Sequence, residues 1–522
     1  MEVAEGEGLP EPGGFMRTRA WVGLGCGGLA AIAAGALLGA CGGAAVAGGG
    51  GYSEPGNRAV GGYAPPPKAG TDEAPLPTNT QDGGTAPPFT CTGLDQSKPV
   101  VLYLSADDSN SMASPVIARE MLSQGAAPRP GQIRTYEFLN YYRIAYPAAP
   151  AGSLSILPQM EPAETAGNFN LQIAVRSFDA VKPRRPITVT FVLDTSGSME
   201  GHGIERERAA VRAIASSLGS GDIVNMVTWN TQNSVLLSGY SVTGANDAKL
   251  LKIADGLSAN GGTDLHGGLE AGYKLAQMNY GAGRLNRVVL VSDGGANVGI
   301  TDEEIIAKNS ADNDKEGIYL VGIGTGPAGS YSDVLMDTVT DKGRGAYVYL
   351  DQPDEATRMF VDRFDETMEV AARGVQVEMT LPWYFKMEKF YGEEYSTDAA
   401  EIEPQHLAPN DAMIFNQVVR ACDTSMVQDN DVVKVKAKWV TPITYAPHEV
   451  ETTISVHDLL AADRAQLTKG KAIVAYAEAL KEPTAQSLKA AHALVVAANV
   501  TGSDAELKEI AGLIEKHRAY TP

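Results

Sequence analysis

A short loop after an apolar run carries the residues of this sequence that are best suited to binding a metal ion. Residues 189–193 read Val-Thr-Phe-Val-Leu, a run typical of a strand buried on both faces. The chain then turns polar and places Asp194, Ser196 and Ser198 at alternate positions of one loop. A carboxylate and two hydroxyls are hard oxygen ligands, which suit a small hard cation such as Mg²⁺ rather than zinc or copper. Because sites in open α/β sheets form where parallel strands end, we expect a cation site at this loop.

Two later segments offer further oxygen ligands. Residues 261–265 form a Gly-rich loop that runs into a helix and contributes the hydroxyl of Thr263. Residues 288–292 form a second buried strand, and Asp293 follows it directly. Each segment alone is ordinary loop chemistry, because Ser-Gly-Ser and Asp-Gly are common in turns. Together they give Asp-x-Ser-x-Ser, then Thr, then Asp, in chain order.

This order of residues resembles the metal-ion-dependent adhesion site of the von Willebrand factor type A domain, and all five positions are matched. The resemblance implies an α/β fold with a Rossmann-like, doubly wound and mostly parallel sheet. It also implies Mg²⁺, with Ca²⁺ or Mn²⁺ as alternatives, held by the hydroxyls of Ser196, Ser198 and Thr263. Asp194 and Asp293 would act directly or through water. The open coordination position would take an Asp or Glu carboxylate of a protein partner.

Residues 187–373 alternate strand and helix patterns, which favours a parallel sheet with helices on both faces. Further strand patterns occur at 223–229 and 318–323. Helical patterns occur at 204–218, 248–257, 265–278, 302–307 and 356–371. His266 follows Thr263 closely and could face the site, although a single histidine on a helix surface is more often solvated.

Alternating strands lie on both sides of this α/β region. One precedes it at 170–176, and three follow it at 375–381, 413–419 and 432–439. A single alternating strand needs partners to cover its apolar face. We therefore predict a β-sandwich that the type A domain interrupts or adjoins. Three Ala-, Leu-, Lys- and Glu-rich stretches predict a small helical C-terminal module, at 465–480, 484–498 and 504–517.

The N-terminal residues are typical of an exported protein. Arg17 and Arg19 precede an apolar run from Trp21 to Ala40, which predicts a signal peptide over 1–40, with Met16 as an alternative start. The run ends Leu-Gly-Ala-Cys and resembles the lipobox of bacterial lipoproteins, which implies lipidation of Cys41. An uncleaved membrane anchor is the alternative, but its many glycines make a poor spanning helix. The Gly-, Pro- and Ala-rich residues 42–88 predict a flexible tether.

Cysteine usage predicts one disulfide. Cys26 would be lost with the signal peptide and Cys41 would carry lipid, which leaves Cys91 and Cys422. Two remaining cysteines in an exported protein tend to pair. The pair would join the start of the globular part to a position far beyond the type A domain.

The whole chain divides into successive predicted segments. The segment from about Pro99 to Pro150, which ends with the residues 137–142 and 145–147, resembles the accessory region that precedes the type A domain in a bacterial family of exported von Willebrand factor proteins. The segments are a signal peptide (1–40), a lipidated cysteine and tether (41–88), an accessory region (89–150), the first part of the sandwich (151–186), the type A domain (187–373), the rest of the sandwich (374–460) and a helical module (461–522).

The net charge and the absence of two catalytic motifs argue against some classes of function. The formal net charge of −21 gives no general attraction to nucleic acid. The sequence has neither a phosphate-binding Gly-x-x-x-x-Gly-Lys loop nor a Gly-x-Ser-x-Gly nucleophile elbow, so catalysis is the weaker interpretation. We expect a lipid-anchored, non-enzymatic protein of the bacterial cell envelope that binds an unidentified protein partner through Mg²⁺. The alternative is a metal-dependent hydrolase or a processing or assembly factor of the envelope.

Overall fold

The computed structural model describes residues 89–107, 109–295 and 317–522. The predicted signal peptide, Cys41, the tether and the predicted helix at 302–307 lie outside the described residues. Among the residues that are described, no helix is both long and apolar enough to cross a membrane.

The secondary structure of the described residues is as follows, in chain order. The strands are β1 (Val100–Ser105), β2 (Leu154–Pro162), β3 (Asn168–Ser177), β4 (Ile187–Asp194), β5 (Ile223–Trp229), β6 (Asn233–Ser241), β7 (Leu285–Ser292), β8 (Ile318–Gly324), β9 (Tyr347–Tyr349), β10 (Ala372–Leu381), β11 (Phe385–Phe390), β12 (Glu394–Ser396), β13 (Gln405–Leu407), β14 (Ala412–Ala421), β15 (Val432–Val440) and β16 (Pro447–Ser455). The helices are α1 (Ala113–Ser123), α2 (Thr135–Tyr141), α3 (His202–Ser217), α4 (Ala248–Gly256), α5 (Leu265–Met278), α6 (Asp333–Gly343), α7 (Pro353–Thr357), α8 (Phe364–Met368), α9 (Val456–Ala461), α10 (Ala465–Lys481), α11 (Ala485–Ala498) and α12 (Ala505–Lys516).

One sheet is built as the alternating strand and helix patterns predict. Its strand order is β6-β5-β4-β7-β8-β9, and every neighbouring pair is parallel except β5 with β6. The central strand β4 is buried along its whole length, which explains its continuous apolar and β-branched sequence. Helix α5 packs closely on this sheet at Gly268 and Gly272, where a Cβ atom would overlap Trp229 and Val192. The carboxyl ends of β4 and β7 are thereby held side by side.

The other two sheets form a β-sandwich around a second apolar core. One has the order β12-β1-β10-β15-β16, with β13 paired to β10, and the other has the order β11-β14-β3-β2. Leu102, Ile173, Val377 and Phe415 are buried between them. In the sequence, all strands of the parallel sheet lie between β3 and β10 of the sandwich. The predicted interruption of the sandwich is therefore confirmed.

Two strands of the sandwich precede the type A region in addition to the single strand at 170–176 that the sequence predicts. Strand β2 pairs with β3, and β1 pairs with β10 and β12. Strand β1 lies in the segment 89–150, so part of the predicted accessory region belongs to the sandwich. Helices α1 and α2 follow in the same segment.

The predicted disulfide is present. Cys91 and Cys422 are bonded across 331 residues of chain. The bond joins the segment just before β1 to the residue just after β14, and so fastens the beginning of the described chain to the sandwich.

The predicted helix at 356–371 is wrong as a single helix. The structure has α7, then a π-helical turn at Arg358–Asp362, then α8. A π-helix brings residues five apart to nearly the same face, whereas an α-helix does not. Here Arg358 lies over the Tyr141 ring at 4.3 Å, and Arg363 donates to the Tyr141 carbonyl oxygen at 2.9 Å. The wider turn lets both arginines reach the same residue of α2.

The C-terminal helices α10, α11 and α12 confirm the predicted helical module. Helix α10 packs on α2, where the Phe138 and Tyr476 rings meet edge to face at 5.5 Å. Gly470 of α10 lies directly against the Gln172 side chain of β3. The helices therefore pack against the rest of the described chain.

Candidate metal centre

Asp194 lies at the carboxyl end of β4, with its carboxylate held by two neighbouring segments. One oxygen accepts a hydrogen bond from the Ser196 backbone N–H at 2.9 Å, and the other accepts one from the Ser292 hydroxyl at 2.7 Å. Because Ser292 is the last residue of β7, the orientation of this carboxylate depends on both central strands. The side chain is buried.

The two serines of the same loop bring their hydroxyls together. The Ser196 and Ser198 oxygens are 3.0 Å apart. Adjacent ligands of an octahedral Mg²⁺ ion, at about 2.1 Å from the metal, are separated by about 3 Å. The spacing of these two hydroxyls therefore fits two neighbouring ligand positions on such an ion.

Thr263 reaches the site from a second loop that is tied to the first. The Gly197 N–H donates to the Gly261 carbonyl at 3.1 Å, and the Asn260 N–H donates to the Thr195 carbonyl at 2.7 Å. Gly261 has a φ of +80°, which favours glycine at this tight turn. Thr263 itself is buried, next to the start of α5.

Three predicted ligands from three different loops converge on Gly295. A Cβ atom built on Gly295 would lie 3.2 Å from an Asp293 carboxylate oxygen, 3.7 Å from the Thr263 methyl carbon and 3.9 Å from the Ser198 hydroxyl. The Gly295 N–H also donates to the Asp293 carboxylate at 3.1 Å. Residues 296–316, which follow Gly295 in the chain, lie outside the described residues.

The electrostatics at Asp194 favour a cation. Burial raises the pKa of Asp194 to about 7, the Ser196 hydroxyl opposes the rise, and the negative charge of Asp293 adds to it. A divalent cation between the two carboxylates would offset both the burial and the repulsion. The donor set of two carboxylates and three hydroxyls suits Mg²⁺. Nowhere in the described ranges do three His, Cys, Asp or Glu side chains group as metal ligands, and a site that relies on hydroxyls does not need three.

The sequence analysis missed Glu207, a buried acid near this loop. Burial, and then the charge of Asp194, raises the pKa of Glu207, and Asp293 adds to the rise. Neither of its carboxylate oxygens has a hydrogen-bond partner among the described residues. The burial of Glu207 could have been predicted from the sequence. The three- and four-residue spacing of a buried helix face includes Glu207 together with Ile204, Val211 and Ile214.

The sequence analysis also missed a second Asp-x-Ser-x-Ser pattern, at Asp107, Ser109 and Ser111. It follows β1, and its aspartate is buried. Asp107 accepts four hydrogen bonds: from the Ser109 N–H at 3.2 Å, the Ser109 hydroxyl at 3.0 Å, the Ser111 N–H at 2.8 Å and the Asn140 side chain at 2.6 Å. The carboxylate of Asp107 is therefore satisfied by protein donors.

His266 lies in the first turn of α5 and is partly buried, which differs from the expected solvated position. Its Nδ1 atom is shielded from solvent and has no hydrogen-bond partner among the described residues.

Comparison with protein families supports the type A assignment. The family described as "von Willebrand factor type A domain" matches residues 189–296, a range that includes all five predicted ligands. The chain is 26% identical over 298 residues to YfbK of Escherichia coli (strain K12), covering 55% of this chain and 51% of that protein. It is 24% identical over 212 residues to sll0103 of Synechocystis sp., covering 40% of this chain and 49% of that protein. It thus spans about half the length of these two relatives.

More distant similarities extend to animal proteins and to solved structures. The chain is 23% identical over 241 residues to inter-alpha-trypsin inhibitor heavy chain H1 of Homo sapiens, covering 45% of this chain and 26% of that protein. A von Willebrand factor type A structure from Catenulispora acidiphila aligns with a TM-score of 0.43 and 12% identity, covering 68% of this chain and 89% of that chain. The ArnB paralog VWA2 from Sulfolobus acidocaldarius aligns with a TM-score of 0.37 and 14% identity, covering 70% and 96%.

Proposed function

We propose that this von Willebrand factor type A domain protein, related to bacterial YfbK, binds a protein partner through a divalent cation held at the carboxyl ends of β4 and β7. Mg²⁺ is the proposed ion, and Ca²⁺ or Mn²⁺ could replace it. The ligands would be Asp194, Ser196, Ser198, Thr263 and Asp293. The observation that carries the proposal is the convergence of Ser198, Thr263 and Asp293 on Gly295, beside the fixed Asp194 carboxylate.

Each residue has a role that its surroundings support. The hydrogen bonds from Ser196 and Ser292 hold Asp194 in one orientation before any ion arrives. Ser196 and Ser198 offer two neutral oxygens at the spacing of neighbouring ligands. Thr263 comes from a separate loop, which could shift when a partner binds. The bound ion would supply positive charge and one open coordination position.

The proposed partner group is an Asp or Glu carboxylate. This chain is strongly acidic, with a formal net charge of −21, and would otherwise repel an acidic partner. A cation at the site reverses the local sign of the charge. Three of the five ligands are neutral hydroxyls, which leaves the ion more attractive to an incoming carboxylate than a shell of carboxylates would.

Binding is proposed in preference to catalysis. A Ser196 hydroxyl that binds a cation is poorly placed to act as a nucleophile. Metal-dependent hydrolysis, or a processing or assembly role in the envelope, is the alternative. It predicts turnover that EDTA abolishes, whereas the binding proposal predicts none.

The proposed location is the bacterial cell envelope, with a lipid on Cys41 and the residues 42–88 as a tether between membrane and folded body. The lipobox-like residues before Cys41 support this part of the proposal. The variant Cys41→Ser should be left unprocessed or without lipid. A Cys41→Ser protein with normal mature mass that still fractionates with membranes would contradict the anchor.

The test of partner binding is affinity capture from envelope extracts of the native host. The wild-type protein should capture a partner that EDTA releases and added Mg²⁺ restores, and Asp293→Ala should capture none. Asp255→Ala is the matched control, because Asp255 is an exposed carboxylate that pairs with Arg212 at the surface. The proposal fails if wild type and Asp293→Ala capture the same partner in EDTA.

A further inference from the structure

Glu207 is a fully buried carboxylate on α3, the helix that follows the Asp194 loop. It lies one helical turn after Gly203, and positions four apart share a helix face. A Cβ atom on Gly203 would lie 3.2 Å from the Met199 sulfur, and Met199 directly follows Ser198. Helix α3 also packs against β7, the strand that leads to Asp293. Glu207 thus belongs to the helix face that underlies the candidate metal centre.

The carboxylate of Glu207 is unsatisfied within the described part of the chain. Neither oxygen accepts a hydrogen bond from any described residue, and both are shielded from solvent. Burying an ionised carboxylate without a partner is costly, which is why buried charges in proteins are usually paired or placed near metal ions. The adjacent Arg208 donates instead to the Leu257 carbonyl oxygen at the end of α4.

The other acids whose charges act on Glu207 are Asp194 and Asp293, two of the five predicted ligands. A cation bound by Asp194 and Asp293 would therefore also stabilise the charge of Glu207. These three carboxylates do not group closely enough among the described residues to ligate one ion together. Glu207 is thus placed to act at a distance or through a water molecule.

We propose that Glu207 is a positioning residue of the metal centre, whose buried carboxylate accepts hydrogen bonds from water bound to the cation and strengthens divalent cation binding. This inference rests on the proposed metal-dependent function. It adds to the five-ligand set a group that its sequence pattern does not contain. Partners of this kind behind the direct ligands typically change metal affinity by about 10- to 100-fold.

The test is a calorimetric titration of Mg²⁺ into the full chain and its Glu207→Gln variant, with thermal unfolding of both measured in EDTA. Glu207→Gln should weaken Mg²⁺ binding at least tenfold, while its Tm in EDTA is equal to or above that of the wild type. Glu205→Gln is the matched control, because Glu205 is exposed on the same helix. It should leave both quantities unchanged.

A second variant, Glu207→Met, replaces the carboxylate with an apolar side chain of similar length. It should weaken Mg²⁺ binding as Glu207→Gln does and raise the Tm in EDTA, because an apolar side chain replaces a buried polar group that has no hydrogen-bond partner among the described residues. Wild-type Mg²⁺ affinity in either variant overturns the inference and leaves the five-ligand proposal standing. A lower Tm of both variants in EDTA would assign Glu207 to folding and also overturn it. Absence of Mg²⁺ binding by the wild type would overturn both proposals.

Discussion

Two loops of this chain have the pattern Asp-x-Ser-x-Ser at the end of a strand. Their aspartates have different surroundings in the folded protein. The first follows β1 and contains Asp107. The second follows β4 and contains Asp194. Both aspartates are buried. The two loops can therefore be compared group by group.

Donors from the first loop and from α2 satisfy the first aspartate. A carboxylate has about four positions for accepting hydrogen bonds. Asp107 fills four with Ser109, Ser111 and Asn140, two on each oxygen. The Ser111 hydroxyl accepts from the Ala113 N–H at 3.4 Å, at the start of α1. This loop is a structural turn that joins β1 to its helix.

The second loop leaves oxygen atoms available. Asp194 accepts one described hydrogen bond on each oxygen, from Ser196 and Ser292. The hydroxyl oxygens of Ser196 and Ser198 lie 3.0 Å apart. The loop therefore presents partly unsatisfied oxygens to the space that Asp293 and Thr263 also border.

The sheets behind the two loops also differ. Strand β1 is paired antiparallel with β10 and β12, so the ends of its neighbours run the opposite way. Strand β4 is parallel to β7, and their carboxyl ends lie together. Parallel pairing brings a second carboxylate, Asp293, to the end of the strand. The pattern Asp-x-Ser-x-Ser alone does not specify a cation site.

The largest effect is expected from the disulfide, which should matter to the stability of the fold and not to the candidate metal centre. Replacing both Cys91 and Cys422 by Ser should lower the free energy of unfolding by about 5 kcal/mol, since the bond closes a very long loop in the unfolded chain. Mg²⁺ affinity should not change. Denaturant unfolding and calorimetry measure the two quantities. A loss of stability below about 1 kcal/mol, or a tenfold loss of Mg²⁺ affinity, would contradict this separation.

Asp107→Ala should destabilise the protein by about 3 kcal/mol, because the buried donors of Ser109, Ser111 and Asn140 lose their acceptor. Mg²⁺ affinity should stay at the wild-type value. Equilibrium unfolding in urea measures the first quantity. If Asp107→Ala is as stable as the wild type, the first loop is not the structural turn described above.

Thr263→Ala should weaken Mg²⁺ binding by less than about tenfold, because one neutral ligand of several is lost and water can replace it. Partner binding should fall more than metal binding, since Thr263 comes from a separate loop. Calorimetry and affinity capture of the same preparation make the comparison. Equal losses in both assays would show that Thr263 serves only to hold the ion.

The smallest expected effect is a change in the pH dependence of stability, caused by Asp337. Burial and the nearby charges of Glu137 and Asp333 raise the pKa of Asp337 to about 7, against the opposing effect of Arg134. The folded protein then binds this proton more tightly than the unfolded chain does, so the group makes stability fall as pH rises from about 4 to about 7. Asp337→Asn should show a shallower fall in Tm over that range. An unchanged slope would contradict the shift.

Much of the fold could be predicted from the sequence. Strands β4 and β7 are continuous apolar runs, and helices such as α5 show a regular amphipathic spacing. Strand β2 is harder to predict, because it contains Pro158 and Pro162. It lies at the edge of its sheet, where a missing backbone N–H is tolerated.

The residues of the candidate site could be predicted from the sequence, but the hydrogen bonds around them could not. The order of the five residues is visible in the sequence, whereas the Asn140 side chain that helps to close the Asp107 loop lies 33 residues away. Glu207 lies on a buried helix face by its spacing, yet its lack of a hydrogen-bond partner among the described residues depends on how α3 packs against neighbours such as β7. The number of hydrogen bonds that each aspartate accepts depends on residues that are distant in the sequence. The two loops can therefore be told apart only in the folded structure.

The most direct test of the central claim is one calorimetric series, with Mg²⁺ titrated into the wild type, Asp194→Ala and Asp107→Ala under identical conditions. The account predicts that the wild type and Asp107→Ala bind Mg²⁺ with the same affinity, and that Asp194→Ala, still folded, shows a loss of at least 100-fold. Wild-type affinity in Asp194→Ala, or loss of binding in Asp107→Ala, would contradict it.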